Sequence, residues 1–184
     1  MSVIRLRDKE FSLLLPAEKI QDKVQFIAEK MNTDLKDEDV IFLGILNGAF
    51  MFASDLLRKI SFEFRVSFVK LTSYAGLKPN GNIKMLIGIN EDLKDKTVVI
   101  IEDIIDTGET IKSIVTQIKG YLPRQVYVAT LLLKPEKVKT DIIPDYVGFK
   151  IPSDFVVGYG LDYIGYGRNL GSIYKLINHN SNEN

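Results

Sequence analysis

One stretch of the chain concentrates groups that could do chemistry: Glu102-Asp103, two isoleucines, then Asp106-Thr107-Gly108-Glu109-Thr110. Carboxylates hold sugar hydroxyls or a hard cation. Backbone N–H groups at the start of a helix hold a phosphate, with a glycine permitting close approach and threonine hydroxyls adding donors. Together these suit a sugar phosphate, its vicinal hydroxyls on Glu102 and Asp103 and its phosphate on Thr107, Gly108 and Thr110. The stretch is neither a GxGxxG loop nor a Walker loop, which would need a lysine at fixed spacing. The plain alternative is an ordinary strand-to-helix turn carrying surface acids.

The elements that must position these groups can be read on either side. Thr97 to Ile101 is a continuous β-branched apolar run, which predicts a strand buried on both faces in the middle of a parallel sheet. Glu102 and Asp103 then stand at its carboxyl end, where ligands bind in open α/β sheets. Ile111, Ile114, Val115 and Ile118 recur at helical spacing, giving a helix that ends near Gly120. A second strand-loop-helix unit follows the same grammar: Val40 to Leu46, Asn47-Gly48-Ala49, then Phe50 to Ile60. Gln125 to Leu133 is a further strand, stopped by Lys134-Pro135, which puts Lys134 on the same rim as Asp103.

The remaining segments complete an α/β chain. A short strand is expected at Val3 to Leu6, and a helix opens at Pro16-Ala17-Glu18 with Ile20, Val24, Ile27 and Met31 as its apolar stripe. Asn32 to Asp39 reads as a polar connector. Glu63 to Leu71 is a strand with Phe64, Val66 and Phe68 in one register, and Lys84 to Ile89 returns beside it after the turn-rich Thr72 to Asn82, which has the length of a lid or binding loop. Asn90 to Lys96 is a charged turn. No repeat, linker or composition break appears, so residues 1–184 are read as a single domain with residues 178–184 as a disordered tail.

Composition narrows the chemistry. With 184 residues, 46% of them hydrophobic, the chain can bury a sizeable core. A formal net charge of zero gives no reason to expect nucleic acid or an anionic membrane as partner. Cysteine is absent, which removes thiolate nucleophiles, thiolate zinc sites and disulfides. The single histidine, His179, lies in the polar tail, so acid–base work falls to carboxylates or lysines. Without a signal-peptide pattern or an apolar run long enough to span a membrane, a soluble cytoplasmic protein is expected.

The residues Glu102 to Thr110 resemble the ribose-phosphate signature of the phosphoribosyltransferases, and Glu-Asp-Ile-Ile-Asp-Thr-Gly is similar to its hypoxanthine-guanine branch. Phe155-Val156-Val157-Gly158-Tyr159-Gly160-Leu161-Asp162-Tyr163 resembles that family's purine-covering segment. The resemblance, which runs from about Ile41 to Tyr174, implies a type I phosphoribosyltransferase fold: a central, mostly parallel sheet flanked by helices, with a small hood from the chain's ends over the purine site. It implies a pentosyltransferase of purine salvage that uses Mg2+ and moves the phosphoribosyl group of phosphoribosyl pyrophosphate to hypoxanthine or guanine, giving IMP or GMP and pyrophosphate. A homodimer or homotetramer is implied with it. Carried over by position, Glu102 and Asp103 hold the ribose hydroxyls, Asp106 faces the purine N7 as the base, and Thr107, Gly108 and Thr110 take the 5′-phosphate. Lys134 meets the exocyclic oxygen, Phe155 stacks on the ring, and Val156 contacts it through its backbone. Asp162 ligates magnesium, to which Glu102 and Asp103 also contribute. Asn47, Gly48 and Arg168 receive pyrophosphate, and Ser73 and Tyr74 belong to a closing loop.

The chain departs from the pattern in two places, the Asn47–Ala49 loop and Glu109. Many relatives carry a basic residue where this chain has Asn47, and a second glycine or serine where it has Ala49. Some carry lysine where it has Glu109, an acid that suits the first helical turn but would repel an inward phosphate, so Glu109 is expected to face solvent. Two readings from other classes compete: a phosphotransfer receiver domain, whose acid pair would stand near the start of the chain, and a nucleotide-sensing regulator on the same fold that binds RNA, against which the neutral charge weighs.

Overall fold

The computed structural model describes residues 2–73 and 83–178. In chain order its elements are β1 (Val3–Leu6), β2 (Lys9–Leu15), α1 (Ala17–Asp34), β3 (Val40–Leu46), α2 (Phe50–Leu57), β4 (Phe64–Ser73), β5 (Ile83–Ile87), β6 (Thr97–Ile105), α3 (Glu109–Lys119), β7 (Gln125–Leu133), β8 (Tyr146–Lys150), β9 (Val156–Val157) and β10 (Ile173–Leu176). The larger sheet has the order β5-β4-β3-β6-β7-β8. All its neighbours run parallel except β5, which returns antiparallel to β4.

Both faces of this sheet are covered, which is why its central strands read as unbroken apolar runs. Along β3, Val40 and Phe42 join the core under α1 and α2, whereas Ile41, Leu43 and Ile45 join the core under α3. Along β6 the same alternation sends Val99 and Ile101 one way and Val98 and Ile100 the other. Held on both sides by β3 and β7, β6 is the rigid floor of the crevice. The loops after β3 and β6 open at one rim, because the strands are parallel.

A second, antiparallel sheet of order β1-β2-β10-β9 joins the two ends of the chain. Strand β2 was not expected from the sequence. Its Leu13-Leu14-Leu15 run has no period-2 alternation and only Phe11 within it is fully buried, so the usual strand signal is missing. The polar connector is also shorter than expected, because α1 continues through Asn32 to Asp34. Asn32 spends its amide on tertiary contacts there: it donates to the Lys59 carbonyl and accepts from the Ser61 N–H. Helix α2 stops at Leu57, short of Ile60. Strand β6 runs to Ile105, so the acid pair lies within its last residues instead of just beyond it. Among the described residues no helix is long and apolar enough to cross a membrane. Tyr74, most of the segment read as a closing loop and the tail from His179 onward lie outside the described residues.

Candidate active site

Glu102 is fixed by the sheet, paired in register with Thr130 of β7, and is 8% exposed. Burial, and then the charge of Asp103, push its carboxyl well above the usual carboxylate range. Asp103 is pushed up to about 6, first by burial; the Ile104 N–H, donated to its Oδ1 at 2.7 Å, and the charge of Arg168 act in the opposite sense. No lysine or arginine forms an ion pair with either acid among the described residues. The loop after β3 packs directly on this pair. A Cβ at Gly48 would overlap the Asp103 carboxylate, and a Cβ at Gly160 would overlap the Gly48 carbonyl, so two glycines let three segments close on one point. Asn47, next to Gly48, is exposed.

Beyond Ile105 the chain turns into α3 through Gly108, whose φ of 86° is left-handed. The N-cap residue Gly108 offers no side chain to the start of α3, and beyond the Glu109 N–H, which donates to Thr107 Oγ1 at 3.5 Å, first-turn N–H groups are left for a ligand. A pocket of about 90 Å³ opens here, lined by Glu102, Ile104, Ile105, Asp106, Thr107, Gly108, Thr110 and Ile111. Glu109 is exposed.

Asp106 lies at the mouth of this loop between two lysines. Lys134 Nζ is 3.0 Å from its Oδ2, and Lys137 Nζ is 3.3 Å from Oδ1. Burial raises the Asp106 carboxyl, but hydrogen bonds and charge from Lys134 and Lys137 outweigh it and hold the group below the usual range. Its Oδ1 is buried without a hydrogen bond. Lys134 is 5% exposed and continues the sheet ladder by donating its backbone N–H to the Ile105 carbonyl. Lys137 escaped the sequence reading. The signal was local: Lys134-Pro135-Glu136-Lys137 is a turn, closed by the Lys137 N–H donating to the Lys134 carbonyl, and residues three apart in a turn come together.

The opposite wall belongs to the hood. Val156 is buried in β9, while Phe155 is 47% exposed with its ring 6.4 Å from Phe11 and 6.1 Å from Tyr163. Tyr163 donates its hydroxyl to Asp8, and the Arg7 guanidinium lies over the Tyr166 ring at 3.9 Å, so the β1–β2 turn grips the segment that follows β9. Tyr159, buried and at a φ of 48°, donates its hydroxyl to Asp55 of α2. Asp162 and Arg168 form an ion pair, and Arg168 also donates to the Gly160 carbonyl. The structure thus gathers Gly48, Asp103, Asp162 and Arg168 on one side, and Asp106, Thr107, Gly108, Thr110 and Lys134 on the other, with Glu102 between them. Ser73 closes β4. Among the described residues no three acid or imidazole side chains stand together as a ready-made metal site.

Comparison with known proteins identifies the family. Residues 12–164 match the phosphoribosyl transferase domain family. A hypoxanthine-guanine phosphoribosyltransferase of Aquifex aeolicus is 37% identical over 173 residues, covering 93% of this chain and 97% of that protein. A protein of the same description from Staphylococcus epidermidis is 39% identical, covering 90% of this chain and 93% of its own. A solved hypoxanthine phosphoribosyltransferase of Staphylococcus aureus superposes with a TM-score of 0.86 at 37% identity, covering 90% of this chain and 91% of that one.

Proposed function

The chain belongs to the phosphoribosyltransferase family, and from that premise we propose that it is a purine-salvage enzyme moving the 5-phosphoribosyl group from phosphoribosyl pyrophosphate to hypoxanthine and guanine. The observation that carries this reading is the ion pair of Lys134 with Asp106 beside the Thr107 to Thr110 cradle. A reader of a 6-oxo group and a carboxylate base stand together where the ribose phosphate would end.

The residues then divide the work. Thr107, Gly108 and Thr110 hold the 5′-phosphate on the α3 N-terminus, and Glu102 and Asp103 accept from the ribose hydroxyls, which adds donors to acids whose own partners are backbone N–H groups. Lys134 donates to the purine's C6 oxygen. Asp106, whose Oδ1 makes no hydrogen bond and faces the Lys137 ammonium, accepts the ring proton as the purine nitrogen attacks the anomeric carbon and pyrophosphate leaves. Phe155 stacks on the ring, Val156 meets it through its backbone, and Ser73 and Tyr74 belong to the segment that covers the site. Asn47, Gly48 and Arg168 receive pyrophosphate.

Magnesium fits this donor set. It is a hard cation that takes one or two carboxylates and keeps its other positions for water and substrate oxygens, which Glu102, Asp103 and Asp162 can provide without forming a three-acid cage. When bound, it would neutralise the charge of the departing pyrophosphate. A cytoplasmic homodimer or homotetramer, which the family implies, completes the proposal.

The test is pyrophosphate release with magnesium across hypoxanthine, guanine, xanthine and adenine. Release with hypoxanthine and guanine but not adenine is expected, together with its loss in excess chelator. Release that does not depend on the base would overturn the reading.

A further inference from the structure

Lys137 is left over once the reaction has been assigned. It touches both oxygens of Asp106, at 3.3 Å from Oδ1 and 3.4 Å from Oδ2, from a half-exposed position on the turn after β7. Lys134, by contrast, is buried, and its Nζ reaches only Oδ2 of the same carboxylate. Resting on the function proposed above, we propose that Lys137 is a positioning residue that lets Lys134 leave Asp106 for the purine's C6 oxygen, by keeping Asp106 paired when it does.

The argument is one of exchange. A 6-oxopurine that engages Lys134 takes a proton donor away from Asp106, which sits in a partly buried pocket shared with Glu102. The Asp106 side chain is 41% exposed, but its Oδ1 is buried, and a buried oxygen left without a partner costs more than an exposed pair gains. With Lys137 bridging both oxygens, the carboxylate keeps a cation and a fixed orientation throughout, and Lys134 can exchange one acceptor for another. Among the described groups, Lys134 and Lys137 are the cations that face Asp106. Base recognition therefore depends on a residue placed beyond the base reader itself.

The experiment compares Lys137→Met and Lys137→Arg by steady-state kinetics, each in the wild-type and the Asp106→Asn background. Lys137→Met should raise KM for hypoxanthine about three- to tenfold and leave KM for phosphoribosyl pyrophosphate in place, a range set by the ~1.4 kcal/mol per tenfold relation and the modest strength of half-exposed pairs. The acid limb of its kcat profile should move to higher pH, because a carboxylate that has lost a cation takes up its proton sooner. Lys137→Arg should restore both. In the Asp106→Asn background Lys137→Met should change nothing further. The proposal is overturned by an unchanged hypoxanthine KM, by equal rises for both substrates, by failure of arginine to restore, or by the same Lys137→Met effect without Asp106. Failure of the underlying reading looks different: Asp106→Asn alone would then retain its turnover.

Discussion

The strand end and the loop that follows it carry acids only three residues apart, at Asp103 and Asp106, in opposite electrostatic states. At the end of β6 Glu102 is buried and Asp103 largely so; among the described residues neither forms an ion pair with a lysine or arginine, and burial holds both above the usual carboxylate range. Asp106, one turn further, has two lysines and lies below that range. The difference follows from the backbone: a central strand fixes its side chains inside a covered sheet, whereas the loop lets Asp106 reach the cations of the turn after β7. The first pair is short of partners, which sugar hydroxyls and a cation would supply. Asp106 is supplied in advance and, on the function proposed, would give one partner up when a purine arrives.

The largest expected effect breaks this comparison on the loop side. Asp106→Asn keeps the shape of the side chain and removes the base, for which a loss of ~10²- to 10⁴-fold in kcat is expected. A loss under threefold in steady-state turnover would show that Asp106 is not the base. Lys134→Met comes next. It should lower kcat/KM for hypoxanthine by about 1.5–3 kcal/mol, the scale of a hydrogen bond to a charged group, and change adenine far less, since adenine presents a donor at C6. Equal losses on both bases would assign Lys134 to the sugar, the phosphate or the fold.

On the strand side the prediction has the other sign, because it concerns stability. Asp103 has a folded value of about 6 against an ordinary 3.8, so the folded state binds more protons in that interval. Its contribution to stability is fully present below the ordinary value and is lost as pH rises through about 6. Asp103→Asn cannot ionise, so the ligand-free protein should gain about 1–3 kcal/mol at pH 7–8, a few degrees in melting temperature, and the gain should fade towards pH 4. Asp106→Asn should instead destabilise, since it leaves the buried Lys134 without its carboxylate. Thermal melts of the two variants across pH test the contrast directly; a destabilised Asp103→Asn at pH 8 would mean the acid pair has a compensating partner.

The parts of this site that were legible in the sequence are those in which a contiguous stretch does one job. Val40 to Leu46, Thr97 to Ile101 and Gln125 to Leu133 are apolar because both faces of the sheet are covered, so strand identity could be read from composition alone. The cradle from Asp106 to Thr110 was legible because phosphate recognition by backbone needs neighbouring residues. The ion pairs were not. Lys134 and Asp106 stand on different strands' ends, and only the β6–β7 register, which pairs Ile105 with Leu133, brings them together. Strand β2 was hidden although it pairs locally with β1, because its side chains, lying between β1 and β10, show no alternation of buried and exposed positions. The Asp162–Arg168 pair could be placed by resemblance as two ligand contacts, but not as partners of each other.

The smallest expected effect sharpens the strand side. Asn47 is exposed in the loop whose Gly48 packs on Asp103, and it offers a hydrogen-bond donor without charge. Pyrophosphate arriving there would meet one cation already on that side, Arg168, and Arg168 is engaged by Asp162 and the Gly160 carbonyl. Asn47→Lys adds a second cation to a region where Arg168 is already taken up by Asp162. An exposed charge of this kind contributes at most about 1 kcal/mol, so pyrophosphate in the reverse reaction should bind only a few-fold more tightly. Because the added charge is solvated, the gain should shrink as ionic strength rises and the screening length falls below ~10 Å. The same variant should leave hypoxanthine KM alone, since the proposed readers of that base, Lys134 and Asp106, lie in the other region. Tighter pyrophosphate with unchanged hypoxanthine would show that the two acid regions serve two ligands independently. A gain that persists at high salt would mean the lysine makes a buried contact, and no gain at all would place the side chain of residue 47 away from the pyrophosphate.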